Sequence, residues 1–223
     1  MPILYSFRRC PYAMRARLAI TSAAQQVELR EIVLRDKPQP MIEASPKATV
    51  PVLVLPDGRV IDESRDVGQW ALSLNDPENW LSKNRAQTAA IIDTNDGPFK
   101  RALDRYKYPG RYPDEAVAAE EQRDMAALTI RDYEARLTRS DWLLGDKASW
   151  ADFAVLPFVR QYAHVDKDWF WAQDWHHVIG WLERFLASEP FAYAMTKFPL
   201  WAENAEPVLF GRPDVALCHN LNV

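Results

Sequence analysis

The 223-residue chain has little cysteine, little glycine, no long apolar run and no excess of positive charge. Its two cysteines, Cys10 and Cys218, do not make a disulfide framework, which favours a reducing cytoplasm as its location. A net charge of −4 leaves no basic footprint for nucleic acid. No apolar run approaches the roughly 18 residues that a membrane span needs, and the N-terminus lacks the order of a signal peptide. We therefore expect a cytoplasmic globular protein with neither nucleic acid nor a membrane as partner.

The first 75 residues alternate between strand and helix patterns. A strand over Ile3–Tyr5, a helix over Ala13–Ala24 and a strand over Val27–Val33 come first. Two short strands around the Asp57-Gly58 turn and a helix over Glu63–Leu74 follow. The spacing predicts β-α-β followed by β-β-α, in an α/β domain over residues 1–75.

Strand patterns almost vanish after this region. Residues 76–83 have the composition of a linker, and residues 84–223 are predicted to form an all-helical domain. Its first helix, over Lys83–Tyr106, is interrupted near Gly97-Pro98. A second is predicted over Asp114–Leu137, and Ser149 and Asp152 have the spacing of a capping box at the start of a third. We expect Asp152→Ala to cost about 1 kcal/mol of stability.

Cys10 is the candidate nucleophile. It stands directly before Pro11, which suits the first position of a helix, so Cys10 is predicted at the N-cap. Helix N–H groups and the positive end of the macrodipole favour the thiolate there, and the thiolate is the reactive form. Ala13 stands where the second cysteine of a C-x-x-C pair would be. A second thiol must then come from solution, and glutathione is the obvious supplier.

Three short motifs in this order carry a resemblance. They are Cys10-Pro11-Tyr12, Val50-Pro51 and Asp62-Glu63-Ser64. Together with the predicted architecture, which covers nearly the whole chain, they resemble the cytosolic glutathione transferases, and most closely the omega class and its bacterial cysteine-type relatives. The resemblance implies a thioredoxin-like N-terminal domain with a mixed four-stranded sheet, an all-α C-terminal domain, and a homodimer.

The resemblance also implies that glutathione is the co-substrate and that no metal is needed. Glu63 would pair with the γ-glutamyl amine, and Ser64 with the following helix N–H groups would hold its carboxylate. Val50, before a cis Pro51, would offer its backbone to the cysteinyl part, as an added strand does. The remaining implied glutathione contacts are Tyr12 and Lys37. A second-substrate pocket between the domains would include Phe99, Tyr106 and Tyr108.

A cysteine at this position implies a glutathione-dependent thiol transferase or reductase that acts on mixed disulfides, dehydroascorbate or glutathionyl adducts. Two enzyme alternatives stay open: a conjugating glutathione transferase, and a glutathionyl-hydroquinone reductase, whose relatives carry Trp where this chain has Tyr12. A non-enzymatic binding protein on the same fold is the third.

Each candidate residue also has a purely structural interpretation. Cys10 could be a small buried hydrophobe, Glu63-Ser64 a helix cap, and Lys37 a solvated surface residue. The three aromatic side chains could belong to the core.

Overall fold

The computed structural model describes residues 1–82, 84–113 and 118–211 of the chain. The chain divides into two units, one of Met1–Glu78 with the chain from Ala187 onward, and one of Asn79–Leu186. Asp114 and Cys218, both singled out above, lie outside the described residues. Within the described part of the chain, no helix is both long and apolar enough to cross a membrane.

The first unit is built on a mixed sheet. Its strands are β1 (Ile3–Ser6), β2 (Val27–Glu31), β3 (Val52–Val54), β4 (Val60–Ile61) and β5 (Leu209–Phe210). They stand in the order β4-β3-β1-β2-β5. β1 runs parallel to β2 and antiparallel to β3, so that Leu4 stands opposite both Leu29 and Leu53. The helices of this unit are α1 (Pro11–Ser22), α2 (Gln39–Ala44), α3 (Ser64–Leu74) and, late in the chain, α10 (Glu189–Ala194). The predicted β-α-β and β-β-α order is confirmed as a thioredoxin-like arrangement.

The C-terminal segment, which is the chain from Ala187 onward, differs from two predictions. The sheet has five strands rather than four, because β5 pairs antiparallel with β2, with Phe210 opposite Val27. In addition, the Leu29 N–H donates to the Val208 carbonyl at 2.7 Å. Without this segment, β2 would be an edge strand with a row of backbone groups lacking partners. The segment predicted as the end of a helical domain over 84–223 therefore completes the first unit instead, with α10 packed on α1.

The second unit is helical. Its helices are α4 (Arg85–Thr94), α5 (Lys100–Lys107), α6 (Ala119–Leu137), α7 (Trp150–Ala163), α8 (Lys167–Trp171) and α9 (His176–Leu186). Asn84 begins α4 by accepting hydrogen bonds from the N–H groups of Ala86 and Gln87. The interruption predicted near Gly97-Pro98 is confirmed as a kinked segment, Asn95–Phe99, between α4 and α5. Stacked aromatic rings fill the core, with Trp80 and Phe153 only 4.0 Å apart between centroids.

The predicted capping box begins α7. The Asp152 carboxylate accepts from the Ser149 N–H at 2.9 Å, from the Ser149 hydroxyl at 2.8 Å and from the Leu143 N–H at 2.9 Å. Asp152 has no exposed surface. Burial raises the pKa of this carboxyl to about 6, although the three hydrogen bonds act in the opposite direction.

Candidate functional site

The Cys10 thiol lies at the start of α1. Cys10 has an extended backbone, with φ −76° and ψ 125°, and Pro11 begins the helix, which confirms the predicted N-cap position. The Cys10 N–H donates to the Phe7 carbonyl at 2.9 Å and closes a turn after β1. The side chain is half-buried, and its thiol donates to the Val50 carbonyl oxygen at 3.9 Å. The sulfur is therefore held at the positive end of a helix with part of its surface accessible.

The Val50–Pro51 segment borders this thiol. Its peptide bond is cis, as the resemblance implied, and it leads into β3. Val50 is buried in an apolar cluster that also contains Ala13 and Met41, and Cys10 packs against this cluster. The arrangement places one nucleophilic side chain, that of Cys10, beside the backbone of the irregular segment just before β3.

The start of α3 supplies a second polar group to the same unit. Glu63 is the N-cap of α3, and Ser64 is its first residue. Ser64 is buried, and its hydroxyl oxygen accepts a hydrogen bond from Nη1 of Arg15 at 3.2 Å. The guanidinium of Arg15 has no exposed surface and lies 5.7 Å from the centroid of the Tyr12 ring. A buried cation and helix N–H groups thus meet at one point, which suits a carboxylate ligand.

Sequence reasoning missed Lys47 and the position of Arg15. The Lys47 ammonium forms an ion pair with the Glu63 carboxylate and donates to the Asp62 carbonyl at 3.4 Å. Both side chains of the pair are largely exposed, so the pair contributes little to stability. Glu63 can therefore exchange Lys47 for another ammonium group at small cost. Only the position of Lys47, three residues before Val50, could have indicated this contact.

Tyr12 and Lys37 are the other two side chains that the resemblance implied as glutathione contacts. Tyr12 is half-buried in the first turn of α1, and Lys37 is half-buried in the segment between β2 and α2. Tyr5, considered above only as part of the first strand, is 2 % exposed and accepts a hydrogen bond from Arg30 at 2.7 Å through its hydroxyl. It is a core residue of β1.

The predicted second-substrate residues lie in the helical unit. Phe99 is 1 % exposed and packs edge-on against Tyr162 within the helical unit. Tyr106 and Tyr108 are half-buried. Burial raises the pKa of Tyr106, and the negative charge of Asp166 raises it further. The Tyr108 ring lies beside two cations, with the Arg111 guanidinium 4.0 Å from its centroid.

Metal-ligating side chains do not cluster in the part of the chain that the structure describes. Within 1–82, 84–113 and 118–211, no group of three or more His, Cys, Asp or Glu side chains could hold a metal ion.

Comparison with known proteins agrees on one family for both halves of the chain. Residues 4–79 match the family described as glutathione S-transferase, N-terminal domain, and residues 95–189 match glutathione S-transferase, C-terminal domain. The fold is similar to that of a glutathione S-transferase from Methylobacillus flagellatus KT with GSH bound, at 20% identity and a TM-score of 0.76, over 87% of this chain and 98% of that chain. A glutathione transferase from Methylococcus capsulatus strain Bath is 22% identical, with a TM-score of 0.72, over 87% of this chain and 97% of that one. For a glutathione S-transferase from Rhodospirillum rubrum F11, the identity is 19% and the TM-score 0.70, over 93% of this chain and 96% of that chain.

Proposed function

The chain belongs to the glutathione S-transferase superfamily, and from that premise we propose that it is a glutathione-dependent thiol transferase with Cys10 as its nucleophile. The observation that carries this proposal is the place of the Cys10 sulfur. It lies at the N-cap of α1 and contacts the Val50 carbonyl beside the cis Val50–Pro51 bond. The omega-like, cysteine-type character of the protein is part of the same proposal.

Glutathione would bind along the first unit. The Val50 backbone is proposed to pair with its cysteinyl residue, which points the ligand sulfur toward Cys10. The γ-glutamyl carboxylate would lie at the start of α3, where Ser64 and the buried Arg15 already meet. Its amine would take the place of Lys47 at the exposed Glu63 carboxylate. Tyr12, Pro51 and Lys37 are proposed as further contacts.

The reaction we propose has two thiol–disulfide exchanges. The Cys10 thiolate attacks the glutathionyl sulfur of a mixed disulfide, forms a Cys10–glutathione disulfide, and releases the substrate as a thiolate that takes up a proton. The thiolate of a second glutathione then attacks the glutathionyl sulfur of that disulfide, which releases oxidised glutathione and restores the Cys10 thiolate. Ala13, in the place of a second cysteine and buried, leaves glutathione as the resolving thiol.

Tyr106 and Tyr108 are the proposed contacts for the second substrate, since both residues are only half-buried. The family resemblance also leads us to propose a homodimer that works in the cytoplasm. Size-exclusion chromatography with light scattering tests the dimer directly, and a mass near 25.7 kDa at micromolar concentration would contradict it.

The test of the function is glutathione-dependent reduction of a small glutathionyl mixed disulfide, coupled to glutathione reductase. We expect Cys10→Ser to abolish turnover and still bind glutathione. The matched control is Cys218→Ser, which removes the other cysteine and should keep full turnover. Turnover that survives in Cys10→Ser would refute Cys10 as the nucleophile. No turnover in the wild-type protein, with glutathione still bound, would instead favour a conjugating enzyme or a binding protein.

A further inference from the structure

A buried ion pair connects β2 with α1 below the turn that leads to Cys10. Arg17, in α1, and Glu31, the last residue of β2, form this pair, with their side chains 0% and 8% exposed. Burial lowers the pKa of Arg17, and the Glu31 carboxylate opposes that change. Arg17 also donates to the Ser6 hydroxyl at 2.9 Å and to the Ala194 carbonyl at 3.1 Å. An ion pair buried to this degree is weak evidence for added stability, because the cost of removing both charges from water can exceed their mutual attraction. Its contacts therefore call for a separate explanation.

The second oxygen of the Glu31 carboxylate reaches the turn itself. Glu31 Oε2 pairs with Arg17, whereas Oε1 accepts the backbone N–H of Arg8 at 2.7 Å. Arg8 is the second residue of the turn that the Cys10 N–H closes on the Phe7 carbonyl. Glu31 stands opposite Ser6 in the sheet, at the point where β1 passes into that turn. The turn is therefore held by two separate contacts: its own hydrogen bond joins the two ends, and Glu31 holds its second residue.

From this geometry we propose that Glu31 is a positioning residue for Cys10. It fixes the turn over Phe7–Cys10 through the Arg8 N–H, and the Arg17 pair orients the carboxylate that does so. Because the turn ends at the N-cap, a shift of its backbone moves the sulfur away from the helix N–H groups that favour the thiolate. The importance of this role for turnover rests on the thiol transferase function proposed above.

The same contacts involve the C-terminal segment in the arrangement. The Arg8 guanidinium donates to the Met195 carbonyl at 3.3 Å, and the Arg17 guanidinium lies 5.5 Å from the centroid of the Phe210 ring. The Glu31 carbonyl accepts the Trp201 N–H at 2.8 Å. The segment that completes the sheet thus also surrounds the ion pair that holds the turn.

Two double variants separate positioning from stability. Arg17→Met/Glu31→Gln and Arg17→Met/Glu31→Leu both remove the buried ion pair and both lose the other contacts of Arg17. They differ at one point, because only the glutamine oxygen can accept the Arg8 N–H. Both are made in a Cys218→Ser background, so that alkylation of the chain reports on Cys10.

The measurement is the rate of alkylation by iodoacetamide from pH 5 to pH 9, with thermal melting of each variant as the control for folding. We expect the leucine variant to react about tenfold more slowly at pH 7 than the glutamine variant, with a higher pH midpoint. Equal rates and midpoints in two variants that melt at the same temperature would overturn the proposal. Alkylation needs neither glutathione nor a disulfide substrate, so this result is independent of whether the proposed function holds.

A second measurement uses the wild-type protein and does not depend on how the variants fold. Amide hydrogen exchange should show the Arg8 N–H strongly protected, because Glu31 accepts its hydrogen bond at 2.7 Å. An Arg8 amide that exchanges in the wild-type protein at the rate of an unstructured peptide would also overturn the proposal.

Discussion

The buried Asp152 carboxylate leads to a prediction about stability and pH. Its folded-state pKa is about 6, above the ordinary value of 3.8 that we assume for the unfolded chain. The folded protein therefore holds this proton more tightly than the unfolded chain does. The stabilisation is complete below pH 3.8 and is lost as the pH rises through about 6. At about 1.4 kcal/mol per pH unit, this interval corresponds to about 3 kcal/mol.

Asp152→Asn tests this magnitude because it removes the titration and keeps one acceptor oxygen. The free energy of unfolding of each protein is measured by urea denaturation at pH 4, 5, 6 and 7.5. We expect the wild-type advantage over the variant to shrink by about 2.5 kcal/mol between pH 4 and pH 7.5, since at pH 4 the unfolded chain is already partly ionised. Contributions from other titrating groups cancel in this difference.

Asp146→Asn is the control, since it removes an exposed carboxylate from the loop before α7 and should change stability by less than about 0.5 kcal/mol at every pH. A wild-type advantage over Asp152→Asn that stays constant or grows with pH would refute the reasoning. Asp152→Ala should cost more than the roughly 1 kcal/mol expected from the capping pattern. It leaves the N–H groups of Leu143 and Ser149 without their acceptor, at about 1–3 kcal/mol each.

Three further predictions concern polar contacts. Glu63→Gln should raise the KM for glutathione about tenfold with little change in kcat, because a charge-assisted contact to the ligand amine is lost. The control Lys47→Gln should not raise this KM, and an unchanged KM in Glu63→Gln would show that Glu63 is not part of the site. Ser64→Ala should lower the free energy of unfolding by about 1–2 kcal/mol, since it leaves the buried Arg15 with one acceptor fewer; urea denaturation showing no loss would contradict this. Glu134 forms a hydrogen bond with the His177 imidazole at the start of α9 and accepts from the N–H groups of His177 and Val178, and these bonds together outweigh burial and lower its pKa. Glu134→Gln should cost about 1 kcal/mol at pH 7, and the difference should vanish as the pH falls through that lowered pKa. A difference that persists at low pH would contradict this prediction.

Local chemistry explains what could be predicted in advance. Three local signals affect only the backbone within a few residues of their own position: Pro11 after Cys10, the spacing of Ser149 and Asp152, and the Gly97-Pro98 break. Each therefore indicates its structure without knowledge of the rest of the fold. The alternation of strand and helix patterns over the first 75 residues belongs to the same class of signal. The candidate site is predictable to the same extent, because Cys10, Val50-Pro51 and Glu63-Ser64 stand at element ends that the pattern locates.

The sequence by itself therefore determined the thioredoxin-like order, the N-cap position of Cys10 and the helical character of the second unit. Only the tertiary structure decided that β5 joins the sheet, because a two-residue strand in a proline-rich segment carries no periodicity and exists through its pairing with β2. It also decided the burial of Arg15 and Arg17. Arginine is expected at the surface, and its burial requires partners such as Ser64 and Glu31, which lie 49 and 14 residues further along the chain. Such partners are supplied by packing, which no local pattern encodes.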